Sequence, residues 1–388
     1  MRLTIVSRIF APEPSAASFR LRAIADAAAR AGHGVDVITS APPASLAGAP
    51  NGTDPRVRIR RARVLRDRAG YVRGYLQYLS FDVPLVVRVL RRPRPGVVLV
   101  EPPPTTGAVM RVMSAILRRP YVYYAADIWS DAAGLTGASG FVVSVVRMME
   151  KFCLRGARRV LAVSDGVAER LRELGVERIE TIGNGTDLAD FAVDGPDMGV
   201  QAPYFVYTGT ASEVHGATVF AEAFAAVHPQ HPDAKLFFIG QGTDWPAIAE
   251  IAERLPTGAM TVLPRTEPSE VARWLRGARA ALASVIPGKG YDFAFPTKMY
   301  AALACGTPVV YAGVGPGRDF VQSTGEGMAV PYGVDEVAAA LHRILSDDHP
   351  RTPEERHAAA RKARDVADID AVADRAVKVL ESVDAGER

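Results

Sequence analysis

Short runs of consecutive apolar residues alternate along this chain with stretches whose apolar positions recur every three or four residues. The runs predict buried parallel strands, and the stretches predict the helices that join them. Residues 3–7 read as a strand, and 18–31 as a helix through Leu21, Ile24, Ala25 and Ala28. A second strand, 35–39, follows Gly32-His33-Gly34. Strands are predicted again at 57–64, 96–101, 121–125, 159–163 and 178–181, with helices at 75–90, 107–117 and 141–155. The pattern lapses over 190–203, which predicts a domain boundary near 192–202. It restarts with strands at 204–208, 235–239, 260–263 and 280–284 and helices at 217–227, 245–254 and 270–276. Helices at 334–345, 353–364 and 371–382 close the chain. The expectation is α/β, with two Rossmann-like, doubly wound parallel-sheet domains in series. Residues 1–192 make the first, onto which a C-terminal helix at about 370–388 is expected to pack, and 203–369 make the second.

The stretch from Phe295 to Val310 combines a loop, a helix of small residues, a Gly306-Thr-Pro turn and a strand. The helix is predicted to begin near Pro296 or Thr297. Free N–H groups at such a start, with Lys298 beside them, suit an anion. An ordinary packing unit explains the same residues equally well.

The 388 residues exceed one compact core and suit two domains. No apolar run approaches a membrane span, and residues 3–7 leave no room for a signal peptide. Cys153 and Cys305 fit no ligand or redox spacing, which points to a reducing cytoplasmic setting and small core thiols. The net charge of +3 conceals a division. Residues 1–190 hold 28 Lys+Arg against 17 Asp+Glu, net +11, and the remainder hold 18 against 26, net −8. The bases concentrate at Arg56, Arg58, Arg60, Arg61, Arg63, Arg66, Arg68 and Arg73, then at Arg88, Arg91, Arg92 and Arg94. Such a half suits an anionic partner, a phosphorylated acceptor or a membrane surface, against the alternative of a merely solvated face. Nucleic acid is not expected as a partner.

In open parallel sheets, ligands sit beyond the carboxyl ends of strands. After the first strand comes a small-residue loop from Arg8 to Ser18, with Ser15 or Ser18 as helix cap. It lacks GxGxxG, so the dinucleotide fingerprint is absent. Glu101 follows the fourth strand, and Asp127 and Trp129 follow the fifth. A carboxylate there orients a hydroxyl or takes its proton, unless it only caps the next turn. In the second half, Gly209-Thr210 through His215, then Gly240 and Arg265, follow successive strands. Lys289, Asp292 and Lys298 cluster before the helix already described. These residues make a rim suited to a diphosphate, and no metal-ligand spacing occurs.

Together, these residues resemble the retaining glycosyltransferases of the GT-B fold, family 4, over nearly the whole chain. The opening strand and loop from Ile5 to Ala17 with Gly32-His33 are similar to the family's start. So are Ala162-Val-Ser164, Asn184-Gly185-Thr-Asp187, Gly240-Gln-Gly242 and Ala304-Cys-Gly306-Thr-Pro. Pro103-Pro104, Asp127-Ile-Trp129 and Pro296-Thr-Lys298 look like the subgroup that builds bacterial surface or lipid-linked glycans.

The resemblance implies two domains facing across a cleft and sugar transfer from a nucleotide diphosphate donor, a UDP-sugar by default, with anomeric configuration kept. It implies no cofactor and no metal. The acceptor is a glycan, a lipid-linked species or a small molecule, and the setting is cytoplasmic or peripheral at the inner membrane face. Lys298, with Pro296, Thr297, Gly209, Thr210, His215, Gly240, Arg265, Lys289 and Phe293, would meet the donor. Ser15, Ala16 and Ala17 would close over its phosphates. Asp127, and Asp292 in place of a usual glutamate, would be catalytic, with Glu101 and Trp129 toward the acceptor. Phe293 and Ala301 stand where the family commonly has two glutamates, and Thr210 and His215 where it has Arg and Lys. A glycosyltransferase of specialised metabolism with a small soluble acceptor, and a silent nucleotide-sugar-binding subunit, are the alternatives.

Overall fold

The computed structural model describes residues 1–386 apart from 14, 68, 69, 71, 73, 92–95, 136–138, 212, 213 and 348–350. The chain forms two compact units, Met1–Thr186 with the segment from Ile369, and Asp187–Asp368.

The strands of the first unit are β1 (Arg2–Val6), β2 (Gly34–Ser40), β3 (Arg58–Ala62), β4 (Val97–Val100), β5 (Tyr121–Ala125), β6 (Arg159–Ala162) and β7 (Ile179–Thr181). Between them run α1 (Ala16–Arg30), α2 (Tyr75–Leu90), α3 (Pro104–Leu117), α4 (Trp129–Leu135), α5 (Gly140–Gly156) and α6 (Asp165–Glu173). The second unit continues with β8 (Tyr204–Thr210), α7 (Thr218–Val227), β9 (Lys235–Gln241), α8 (Trp245–Glu253), β10 (Met260–Pro264), α9 (Pro268–Gly277) and β11 (Ala280–Ser284). It ends with α10 (Lys298–Ala304), β12 (Val309–Ala312), α11 (Pro316–Thr324), β13 (Gly327–Val330), α12 (Val334–Leu345) and α13 (Pro353–Ala367). The last helix, α14 (Ile369–Asp384), belongs to the first unit.

Both sheets are parallel, ordered β3-β2-β1-β4-β5-β6-β7 and β10-β9-β8-β11-β12-β13. Leu3 of β1 pairs with Val35 on one side and Val97 on the other. Strand order therefore reverses at β1 and again at β8, the doubly wound arrangement that the alternating pattern predicts. Right-handed crossovers put α1 on one face of the first sheet and α2, α3, α5 and α6 on the other. Helix α14 packs on α1. Arg30 meets Asp370 at 3.1 Å, His33 meets Glu381 at 2.6 Å, and Arg375 donates to the Ile182 carbonyl at 2.9 Å.

Strand β8 explains the unbroken apolar runs. Phe205 and Tyr207 face a core with Phe220, Phe224 and Phe238, while Tyr204 and Val206 face another with Phe237 and Trp274. Both faces of the strand are covered, so neither tolerates a polar alternation.

Several elements differ from the sequence reading. Helix α3 starts at Pro104 rather than 107, because proline is acceptable at a first helical position. Helix α10 starts at Lys298, one or two residues later than expected, and has seven residues. Helices α4, α6 and α11 and strand β13 were not anticipated. The stretch near 192–202 is no free linker, since the chain crosses between units at 186/187 and 368/369. Arg276 donates to the Pro196 and Ala192 carbonyls at 2.8 and 3.2 Å, and Arg364 to Phe191 at 2.9 Å, while Leu188 enters the second unit's core.

Part of the arginine run is consumed within the first unit. Arg56 is bidentate on Asp54, Arg60 lies 3.5 Å from Asp36, and Arg61 bonds Asn51. Arg66 forks onto Glu13 at 2.8 and 3.1 Å. Arg68, Arg73, Arg92 and Arg94 lie outside the described residues. Among the described residues no helix is long and apolar enough to cross a membrane.

Candidate functional site

In the second unit, candidate residues gather where β8 and β9 end. The two strands stay in register to Gly209 opposite Gly240 and Thr210 opposite Gln241. Gly240 adopts φ +148°, and a Cβ there would stand 2.1 Å from the Gly209 carbonyl oxygen. Only glycine lets the backbones run this close. Lys298, the first residue of α10, reaches into this corner. Its Nζ donates to the Thr210 carbonyl at 3.2 Å and sits 3.6 Å from the centroid of the Tyr207 ring. The side chain is part-exposed, and desolvation pushes the ammonium well below the usual lysine range. Seven residues supply little macrodipole, so the lysine rather than the helix end carries the positive charge.

His215 belongs to the same corner. Its carbonyl accepts from Ser284 Oγ at 2.6 Å, which ties the loop after β8 to the end of β11. Burial, and secondarily the Lys298 charge, push the imidazole down to about 4. At neutral pH it is an uncharged hydrogen-bonding group. Asp292 accepts from the Gly288 backbone at 2.9 Å, closing the exposed turn that carries Lys289. Phe293 stacks on Tyr291 with centroids 5.5 Å apart. Pro296 is buried and Thr297 half-buried before Lys298. Arg265 lies exposed past the end of the edge strand β10, two strands away from β8. Ser212 and Glu213 of the expected loop fall outside the described residues.

The first unit holds a second cluster at the carboxyl ends of β1, β4 and β5. Glu101 is buried and accepts from Ser7 Oγ at 2.8 Å. Burial raises its carboxyl, against the opposing charges of Arg20 and Arg8. Asp127 stands exposed at the end of β5, where desolvation raises it and Arg20 acts in the opposite direction. Arg20 lies 5.5 Å over the Tyr124 ring, and the Tyr124 hydroxyl is buried with no hydrogen-bond partner among the described residues. Buried hydroxyls are normally paired, so this one is suited to a ligand or water. Arg8 is clasped between Tyr78 and Trp129, at 4.2 and 5.8 Å from their centroids, and donates to the Val72 carbonyl at 2.6 Å. The Trp129 backbone N–H donates to buried Glu150 at 2.7 Å. Ser15 is the cap of α1, accepting from the Ser18 backbone at 3.1 Å, with Ala16 exposed beside it.

Sequence reasoning passed over Arg8, Arg20, Ser7, Tyr78 and Tyr207. Tyr207 reads as an ordinary strand residue. Arg8 offered a signal, as an arginine directly after a buried strand.

Two parallel-sheet lobes of seven and six strands, each with polar groups at its switch point, define the GT-B class. The model of the glycosyl transferase 4-like domain matches residues 15–185, and that of glycosyl transferases group 1 matches 202–347. The chain belongs to the family 4-type glycosyltransferases. It is 31% identical over 224 residues to a D-inositol 3-phosphate glycosyltransferase of Kribbella flavida. The match takes 52% of this chain and spans about half, 51%, of that relative. Among solved structures, sucrose-phosphate synthase from Thermosynechococcus elongatus has TM-score 0.76 at 18% identity, covering 99% of each chain. Anabaena HepE in complex with UDP and glucose has TM-score 0.72 at 18% identity, covering 98% of this chain and all of that one.

Proposed function

We propose that this protein transfers a sugar from a nucleotide diphosphate donor, UDP-sugar by default, to a hydroxyl acceptor with retention of anomeric configuration. The observation that carries the reading is the Lys298 ammonium, held at the shared end of β8 and β9 by Tyr207 and Thr210. A cation with depressed proton affinity has more to gain from a diphosphate than from water. In the reaction the bond from the anomeric carbon to the phosphate oxygen breaks, and the acceptor oxygen bonds that carbon on the same face. The acceptor's proton passes to the departing diphosphate, whose charge Lys298 offsets, with neutral His215 as a hydrogen-bonding neighbour. Asp127 orients the acceptor hydroxyl. The UDP and glucose bound by HepE support a nucleotide-sugar donor. The acceptor in this reading is a glycan or lipid-linked species of bacterial surface synthesis, with a small soluble molecule as the alternative.

A thermal-shift and calorimetric panel of UDP-, GDP- and TDP-sugars tests the donor assignment, since a ligand bound only by the folded state raises the melting temperature. Release of nucleoside diphosphate that needs donor and acceptor together tests transfer. Melting unchanged by every nucleotide sugar rejects the reading. A second reading, binding without transfer, is favoured by Phe293 stacked on Tyr291 and by Ala301 buried in the core, where the resembled family commonly has glutamates. Donor binding with no turnover on any acceptor selects it.

A further inference from the structure

We propose that the outer face of α2, α3 and α5 is a docking surface for an anionic lipid bilayer. The three helices lie on one face of the first sheet, with α3 packed against both others. Helix α2 is apolar on two sides. Phe81, Leu85 and Val89 are buried inward, while Leu76, Leu79, Val83, Val87 and Leu90 form a second stripe open to solvent. Their spacing of three, four, four and three residues keeps that stripe on one side of the helix. Val112 and Ile116 extend it on α3, and Phe141, Met148 and Phe152 on α5. Individual exposures reach 70% at Leu76 and 78% at Phe141. Eleven of the fourteen large apolar side chains exposed among the described residues lie on these helices, and only Val366 lies in the second unit. Scattered exposed apolar residues need no explanation, but a stripe repeated on three adjacent helices does.

The charges identify the occupant. Within these helices the only carboxylates are Asp82 and Glu150, exposed by 1% and 2%. Thr106 bonds Asp82, and Glu150 caps α4. The charges that these helices present to solvent are therefore basic: Arg88 in part, then Arg111, Arg147, Lys151 and Arg155. An open cavity of about 530 Å³ between α3 and α5 is lined by the last four together with Met148 and Phe152. Apolar side chains beside bases, with no exposed carboxylate on the same helices, match acyl chains beneath anionic headgroups. A second copy of this chain is a poor occupant, because two such faces would oppose like charges. They differ from Arg56, Arg60 and Arg66, which meet the carboxylates of Asp54, Asp36 and Glu13. The inference goes beyond sugar transfer, and its failure leaves that reading intact.

Flotation of the whole protein with phosphatidylcholine vesicles, and with vesicles also containing phosphatidylglycerol, tests the proposal. Wild type is expected to float with the anionic vesicles only and to be released by salt. Arg147→Glu with Lys151→Glu is expected to weaken that partitioning about 30-fold or more, from the lost attraction of two bases. Leu79→Ser with Val83→Ser is expected to weaken it as well, which a soluble anion site would not predict. Circular dichroism and the melting shift with UDP check that both variants remain folded and bind donor as wild type does. Equal flotation with neutral vesicles, no flotation with anionic ones, or unaffected variants would overturn the proposal. So would a dimer in sedimentation velocity that the stripe variant dissolves.

Discussion

The Lys298 ammonium and the Tyr207 hydroxyl donate to the same acceptor, the Thr210 carbonyl, at 3.2 and 3.0 Å, while the ammonium also faces the Tyr207 ring. The strand end thus holds a cation without a carboxylate counter-ion at that contact. Lys298→Ala is expected to weaken nucleotide-sugar binding about 10- to 100-fold, the scale of one charged hydrogen bond. Tyr207→Phe keeps the ring and is expected to cost less than about threefold, because the cation–ring contact remains. The folded lysine loses its proton below the usual pH, and a bound diphosphate favours the charged form. Donor affinity therefore falls as pH rises through the free protein's value, and binding takes up protons. Calorimetry in two buffers of different ionisation enthalpy reads that uptake. Unaltered affinity in Lys298→Ala would remove the residue from the site.

His215 supplies a pH-dependent term of known sign. Its folded value of about 4 lies below the ordinary 6.5, so the unfolded chain binds more protons between the two. Stability from this group is present above pH 6.5 and is lost as pH falls through about 4. Allowing for its part exposure, the loss is on the order of 2 kcal/mol. Urea unfolding at pH 7 and pH 4 should show wild type losing more stability than His215→Gln over that interval. Equal losses would show that the imidazole is not buried in its neutral form. Donor binding should show no imidazole titration between pH 6 and 8.

The doubly wound fold was legible because strands covered on both faces are written as unbroken apolar runs, as in β5 and β11. Helix α6 was missed because its few apolar residues, Val167, Ala168 and Leu171, sit among charges and make a weak stripe. The boundary reading failed for a different reason. Residues 187–202 lack periodicity yet are held by arginines from α9 and α13, and such long-range partners leave no local trace. At the candidate site, Lys298 stood out through its place before a small-residue helix. Arg20 was not, because a helical arginine looks the same whether it faces water or a strand-end carboxylate.

Glu101 is suited to a neutral state. Burial raises its carboxyl, so the folded protein holds the proton more tightly than the unfolded chain. Stability from this group is complete at low pH and is lost as pH rises through the folded value. Glu101→Gln mimics the protonated form and keeps an acceptor for Ser7 Oγ. It is expected to melt higher than wild type at pH 8 and to match it near pH 4. A variant less stable at both values would show that the carboxylate itself is needed.

The acceptor role proposed for Asp127 has a test in its neighbour Arg20 that a merely structural role would fail. Asp127→Asn keeps size and hydrogen bonding but removes the charge. Turnover is expected to fall about 100-fold, as misplacement of a reacting group commonly does, with donor KM within about threefold. The acid limb of the kcat profile reports formation of the carboxylate, which desolvation delays and Arg20 promotes. Arg20→Gln should therefore move that limb to higher pH while leaving the plateau close to wild type. A limb displaced to lower pH, or undiminished turnover in Asp127→Asn, would remove the aspartate from the reaction and leave the first unit's cluster to structural duty.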